Sequence, residues 1–252
     1  MSIRLDYLPN NENVKLYQDD EMFCINTDTM ALGEFLEVYR NDIVLDIGTN
    51  TGALLLYASR FNPKKLIGID INEKAIALAK KNMELNNVEN CTLLVADGNT
   101  YKCSEEADVI IFNPPYFKTP SLDMGSNKYL ALAKHEDNFS LENMINCINR
   151  NLKNNGKLYF LFLTSRLNEV MLLLSKKNII VKEMKFVYDV NKEFSNVVLI
   201  KAVKGAKEGL RVLKPLIIER KSKWFSESVS EKWFMLTLFY FAYWVNKLGL
   251  IN

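Results

Sequence analysis

The sequence predicts an α/β fold built on a doubly wound, mostly parallel sheet, and three observations carry that reading. Strand-like and helix-like segments alternate from Ile43 to about Ala202. Several strand-like runs are continuously apolar rather than alternating, as strands covered on both faces must be. A glycine turn, Gly48 to Gly52, follows the first of these strands and opens a helix, and such sheets bind ligands at their carboxyl edge.

The elements follow in chain order. Residues 1–42 form an N-terminal extension, with a short strand expected at Met22–Ile25 and a helix at Asp28–Tyr39 opened by Thr27 or Asp28 as cap. Seven strand-like runs come next: Ile43–Asp46, Leu66–Asp70, Thr92–Ala96, Val109–Phe112, Leu158–Leu163, Val181–Val187 and Val197–Ala202. Between them, Glu73–Asn86 reads as a helix whose apolar surface comes from Ala75, Leu78, Ala79, Met83 and Leu85. Ser140–Leu152 reads as another, capped by Ser140, and Asn154–Asn155–Gly156 as a turn into the next strand. Ala202–Pro215 is a basic, glycine-broken loop. The main domain is therefore expected over 43–218, with an atypical hydrophobic tail over 219–252. In that tail Trp233–Val245 is apolar all round, but a membrane span needs about 20 such residues. A helix packed on the domain is the reading preferred; contact with a membrane interface and an altered chain ending are the others.

Composition narrows the function classes. The chain has 252 residues, 48% of them hydrophobic, and a net charge of +2, which excludes a disordered chain and a histone-like polycation. A single histidine argues against a His-rich metal site or a Ser-His-Asp hydrolase, and no metal is expected. The cysteines, Cys24, Cys91, Cys103 and Cys147, form no C-x-x-C pair and fit a reducing compartment. The start, MSIRLDYLPN, lacks the apolar core of a signal peptide, so the expected location is cytoplasmic.

Two motifs carry chemistry. The first is Val44-Leu-Asp-Ile-Gly-Thr-Asn-Thr-Gly52. It does not meet the dinucleotide pattern G-x-G-x-x-G, and Asp46 would repel a pyrophosphate there. A carboxylate suits a ligand with an ammonium group instead. Asp70 ends the next strand, at the usual place for a ribose-binding acid, and Asp97 follows the one after. Three acids at three successive strand ends point at one crevice. The second motif is Asn113-Pro-Pro-Tyr116, directly after the strand Val109–Phe112. Pro114 and Pro115 fix φ and remove two N–H donors, so the local backbone offers acceptors. These are the Asn113 side-chain oxygen and the Pro114 carbonyl, with the Tyr116 ring as a face for a planar group. Two acceptors beside a ring suit a planar NH2 group.

Together the motifs resemble class I S-adenosylmethionine (SAM)-dependent methyltransferases, specifically their amino-methyltransferase branch. The resemblance covers roughly residues 15–218 and implies a Rossmann-like, seven-stranded, doubly wound sheet with SAM as cofactor. It implies a SAM-binding set of Asp28, Asp46, Gly48, Asn50, Gly52, Asp70, Ile71, Asp97, Gly98 and Asn113, with Asp70 on the ribose hydroxyls and Asp97 on the adenine amino group. It implies a catalytic set of Asn113, Pro114, Pro115 and Tyr116. Many relatives carry D-x-G-x-G-x-G, whereas Asn50 stands at the middle glycine here. Asparagine tolerates left-handed backbone angles, so the turn is expected to survive.

Further stretches resemble bacterial tRNA1(Val) (adenine37-N6)-methyltransferases: Lys15–Gln18 with Phe23–Gly33, Leu132-Ala-Lys-His-Glu136, and the basic closing segment Ala202–Ile218. In the first of these the region of Asp28 is implied to lie near the methionine end of SAM. His135 is read as structural rather than as a general base. Lys204, Lys207 and Arg211, with Lys201 and Lys214 nearby, are the expected RNA phosphate contacts. Phe117 and Tyr129 flank a polar loop that could close over a flipped base. The expected activity is methylation of adenine N6 in tRNA, with tRNA as partner and no stable protein partner. Two alternatives stay open: a glutamine-amide methyltransferase of a release factor, and a non-catalytic RNA-binding protein on this fold.

Overall fold

The computed structural model describes residues 3–114 and 140–218. The chain opens with an antiparallel hairpin, β1 (Ile3–Leu8) and β2 (Asn11–Asp19), closed at Pro9–Asn10 with Asn10 left-handed at φ +62°. Helix α1 (Thr27–Phe35) follows, then β3 (Ile43–Ile47), α2 (Ala53–Ser59), β4 (Lys65–Asp70), α3 (Glu73–Leu85), β5 (Cys91–Val95) and β6 (Ala107–Phe112). After residues 115–139 come α4 (Leu141–Asn151), β7 (Leu152–Leu163), α5 (Leu167–Lys176), β8 (Ile179–Asp189), β9 (Val197–Lys204), β10 (Arg211–Val212) and β11 (Leu216–Ile218).

The main sheet runs β10-β8-β9-β7-β6-β3-β4-β5, with β11 also paired to β8. All these pairings are parallel except the two made by β9. The order reverses at β3 and β6, whose chains leave the sheet in opposite directions, and this opens the crevice at their carboxyl ends. One core, with Leu55, Tyr57, Ala79 and Tyr159, fills the face covered by α1, α2 and α3. The other, with Leu45, Ile110, Ile148 and Val170, fills the face covered by α4 and α5. Both faces are covered, which explains the apolar runs Ile43–Leu45 in β3 and Val109–Phe112 in β6.

The expected Rossmann-like doubly wound sheet is therefore present, with nine strands among the described residues rather than seven. The two additional strands come from the segment read as a loop: β10 and β11 are short and lie along the outer edge of β8. Runs of two and three residues leave no periodic signal to find. The N-terminal extension also differs. Met22–Ile25 is not a strand but a turn, in which Met22 N donates to the Asp19 carbonyl and Ile25 N to the Gln18 side-chain oxygen. Helix α1 is capped by Asn26, whose side-chain oxygen accepts from Asp28 N and Thr29 N, and it ends at Phe35 because Leu36 is extended. The expected turn at Asn154–Gly156 is a left-handed kink at Asn155 (φ +62°) within β7, where the pairing with β6 shifts register. Ser140 caps α4 as expected, accepting from Asn143 N. Pro115, Tyr116, the Phe117–Tyr129 loop, the stretch with His135 and the 219–252 tail lie outside the described residues.

The hairpin is tied to the domain by two asparagines one turn apart, Asn82 on α3 and Asn86 at its C-cap. Asn82 accepts from Tyr17 N (2.6 Å) and donates to the carbonyls of Tyr17 (3.0 Å) and Thr51 (2.9 Å). Asn86 accepts from Lys15 N and donates to the Lys15 carbonyl (2.6 Å). Their side-chain amides act as a surrogate strand along the free edge of β2, while Leu8 and Leu16 join the core beneath. Asn82 is fully buried, so its loss strands three backbone groups. Asn82→Ala is expected to lower stability by about 2–4 kcal/mol in urea unfolding, and a loss under about 0.5 kcal/mol contradicts this docking role.

Candidate functional site

The candidate residues converge on four neighbouring strand ends. Pairing of Ile47 with Phe112 sets Asn113, one residue beyond, beside Gly48. Gly68 pairs with Asp46, so Asp70 ends β4 two residues further along, next to the turn. Asp97 follows β5, the next strand. Asn113, the glycine turn, Asp70 and Asp97 therefore line one edge in that order, spanning three strand spacings or about 14 Å. That row suits an extended ligand with an amino-acid group at one end and a nucleoside at the other.

The turn itself is locked to its neighbour. Gly48 N and Thr49 N both donate to the Ile69 carbonyl at 2.9 Å, and Asn50 N donates to Asp70 Oδ2 at 2.9 Å. Gly48 and Gly52 have φ of +72° and +81°, and a Cβ on Gly52 would come within 2.8 Å of Met83 Cε. Asn50 takes φ +49° without glycine, and its side-chain amide donates to the Phe23 carbonyl. The departure from the family's glycine thus adds a tether between the turn and the N-terminal segment.

Asp46 is 1% exposed. Its Oδ2 accepts from Thr49 Oγ1 at 2.7 Å, while its Oδ1 is buried with no partner among the described residues. Burial, only partly offset by Thr49 and reinforced by the nearby Asp70 charge, pushes its pKa from the usual 3.8 up to about 7. Burial also raises the Asp70 carboxyl, against the backbone N–H groups of Asn72, Asn50 and Ile71 that favour its charged form. Asp97 Oδ1 accepts from Asn99 N at 2.8 Å. The other buried oxygen without a partner among the described residues is Asn99 Oδ1, next to Gly98. Both stranded oxygens thus sit where a ligand bearing N–H donors is expected. Asp28 is buried in the first turn of α1, Ile71 is 59% exposed, and Pro114 is buried behind Asn113.

The basic residues do not act as one group. Lys204 ends β9 at the opposite edge of the sheet from Asn113, because β9 runs antiparallel. Its Nζ donates to the Asn149 and Leu152 carbonyls and so caps α4. Arg211 pairs with buried Glu183 although its own side chain is 75% exposed. Lys207 and Lys214 are exposed. Among the described residues there is no cluster of His, Cys, Asp or Glu able to hold a metal ion, and no helix long and apolar enough to cross a membrane. The sequence did not single out Thr49, Asn82, Asn99 or Arg150. Polar residues inside apolar stretches at helical spacing were the available signal for Asn82.

The fold defines a class: a doubly wound α/β domain with a crevice at the carboxyl ends of its central strands. A family described as "Methyltransferase domain" matches residues 39–215, and the chain belongs to it. A Methanocaldococcus jannaschii protein whose name proposes protein N5-glutamine methylation is 37% identical over 122 residues, 48% of this chain and 60% of its own length. Another protein of that organism, whose name proposes large-subunit ribosomal RNA methylation, is 38% identical over 60 residues, 21% of this chain and 16% of its own length. The chain thus covers less than two thirds of these curated relatives. The structure of M. jannaschii Trm5 in complex with adenosine is similar in fold, with a TM-score of 0.60 at 19% identity, covering 81% of this chain and 57% of that one. The cofactor of the family is SAM, and the stranded Asp46 and Asn99 oxygens fit its ammonium and adenine donors.

A raised Asp46 pKa carries two opposite pH dependences. The stability of the protonated, ligand-free form is full below pH 3.8 and is lost as pH rises through about 7. With the ammonium group of SAM on this carboxylate, binding is expected to weaken as pH falls through about 7. Asp46→Asn is therefore expected to flatten the fall in ligand-free melting temperature between about pH 4 and 7, while weakening SAM in calorimetric titration. Parallel melting curves for the two proteins contradict this.

Proposed function

We propose that this chain transfers a methyl group to the N6 amino group of an adenine in tRNA, with adenine 37 of valine tRNA as the expected target. The observation that carries the reading is the place of Asn113 beside Gly48, at the methionine end of the cofactor row. Bound SAM supplies an electrophilic methyl on a sulfonium, so that a sulfur–carbon bond breaks as a nitrogen–carbon bond forms. The chain's own residues do the rest. The Asn113 side-chain oxygen and the Pro114 carbonyl accept the two N–H groups of the target, holding its nitrogen in line with the methyl. Accepting those protons shifts electron density onto a nitrogen whose lone pair is otherwise delocalised. No strong base is needed beforehand, because the nitrogen becomes acidic only once alkylated. Tyr116 is the proposed stacking face, and an adenine in a stem must be flipped out to reach it. Asp70 orients the ribose, Asp97 the adenine of the cofactor, and Asp28 closes the methionine end. Positioning is thus the main contribution to rate.

RNA contact is assigned to Lys207 and Arg211 along the outer edge of β8. Lys204 contributes there only indirectly, since its ammonium holds the end of α4. A second reading, methylation of a glutamine side-chain amide, is favoured by the relative named for that reaction. A carboxamide presents the same planar NH2 group to the same acceptors.

Incubation with methyl-labelled SAM and total tRNA, followed by nucleoside mass spectrometry, tests the reading. N6-methyladenosine is the expected product. Label in a release-factor glutamine, with none in tRNA, would establish the second reading instead. Asn113→Ala is expected to lower kcat by at least about a hundredfold while SAM affinity changes less than about threefold. Full turnover in that variant removes Asn113 from the mechanism.

A further inference from the structure

Helix α4 lies outside the row of cofactor residues, yet its last turn grips the segment that carries two of them. Arg150 Nε donates to the Tyr101 carbonyl at 3.0 Å, and its Nη2 donates to the carbonyls of Asn99 at 2.9 Å and Gly98 at 3.4 Å. Asn151 beside it accepts from Cys103 N at 2.7 Å and donates to the Tyr101 carbonyl at 3.1 Å. Residues 98–103, which form no strand or helix, are therefore held chiefly from one side by two adjacent residues of α4. Within the segment, Thr100 N and Tyr101 N fold back onto the Asp97 carbonyl, and Asn99 N orients the Asp97 carboxylate. The Asn99 carboxamide leaves a buried oxygen without a partner among the described residues.

We propose that Arg150 is a positioning residue for recognition of the cofactor's adenine, acting through the 98–101 carbonyls on the carboxylate of Asp97. The proposal rests on the reading of this edge as the SAM site. The physical argument is geometric. A guanidinium presents a rigid, planar fork of donors, and here it draws three carbonyls of one short segment to a single point. Fixing those peptide planes fixes the turn from which the Asp97 side chain projects. Arg150 also sits at the carboxyl end of α4, where the helix dipole favours a cation, so the clamp is held in place from behind. It touches neither substrate nor cofactor. A lysine retains the charge but not the fork.

The test is calorimetric titration of the full chain with adenosine and with inosine, which carries oxygen in place of the exocyclic amino group. The preference for adenosine over inosine therefore reports how well Asp97 is placed. The wild-type chain is expected to prefer adenosine. Loss of charge-assisted hydrogen bonds in Arg150→Ala is expected to weaken adenosine by about tenfold or more and to remove most of the preference, with inosine changing less than about twofold. Arg150→Lys is expected to fall between, and it serves alone if the alanine variant does not fold. Equal weakening of both nucleosides, or an unchanged preference in a folded variant, overturns the positioning role. A wild-type chain that binds neither nucleoside overturns the reading of the SAM site itself.

Discussion

The site depends on one constraint: the turn after β3, closed on itself by Gly52 N on the Thr49 carbonyl, is also hydrogen-bonded to the end of β4. The Ile69 carbonyl takes both Gly48 N and Thr49 N, and the Asp70 carboxylate takes Asn50 N. These bonds set the level of the turn against the strand end, and with it the separation of Asp46 from Asp70. They also keep open a place where two carboxyl groups are desolvated side by side. Such an arrangement is costly in the ligand-free protein, as the raised pKa of Asp46 records. On the proposed reading a bound ammonium group relieves that cost, so that the instability of the pair contributes affinity for a ligand of the right charge.

Outward from that turn, the supports are polar side chains that stand in for missing backbone partners. Asn82 and Asn86 complete the edge of β2, Asn50 holds the Phe23 carbonyl, Lys204 caps α4, and Arg150 gathers the carbonyls after β5. Backbone groups at strand ends cannot pair within the sheet, and burying them unpaired costs more than the hydrogen bond itself contributes. The turn after β3 is thereby anchored to α3 through the Thr51 carbonyl, and residues 98–103 to α4.

Much of this was legible in the sequence, for a definite reason. Continuous apolar runs such as Val109–Phe112, and Ile43–Leu45 ahead of Asp46, have no stable home except a sheet covered on both faces, and the doubly wound order follows. The acids at 46, 70 and 97 were readable because strand ends recur with the alternation of elements. The hairpin was missed although Ile3, Leu5 and Tyr7 alternate with Arg4 and Asp6: those apolar residues are exposed, and the buried residues of β2 cluster at one end, so the alternation marks no core-facing side. Strands β10 and β11 were missed because they exist only through pairing with β8. The role of Lys204 was hidden for a related reason. Its partners are carbonyls on another element, and a charge run in the sequence does not show which charges already have partners.

A structure of the chain crystallised with S-adenosylhomocysteine tests the central claim most directly. The account predicts the ammonium group within hydrogen-bond distance of Asp46 Oδ1, the ribose hydroxyls on Asp70 and the adenine amino group on Asp97. Density for the ligand at any other edge of the sheet, or an Asp46 carboxyl still without a partner beneath a bound ligand, would contradict it.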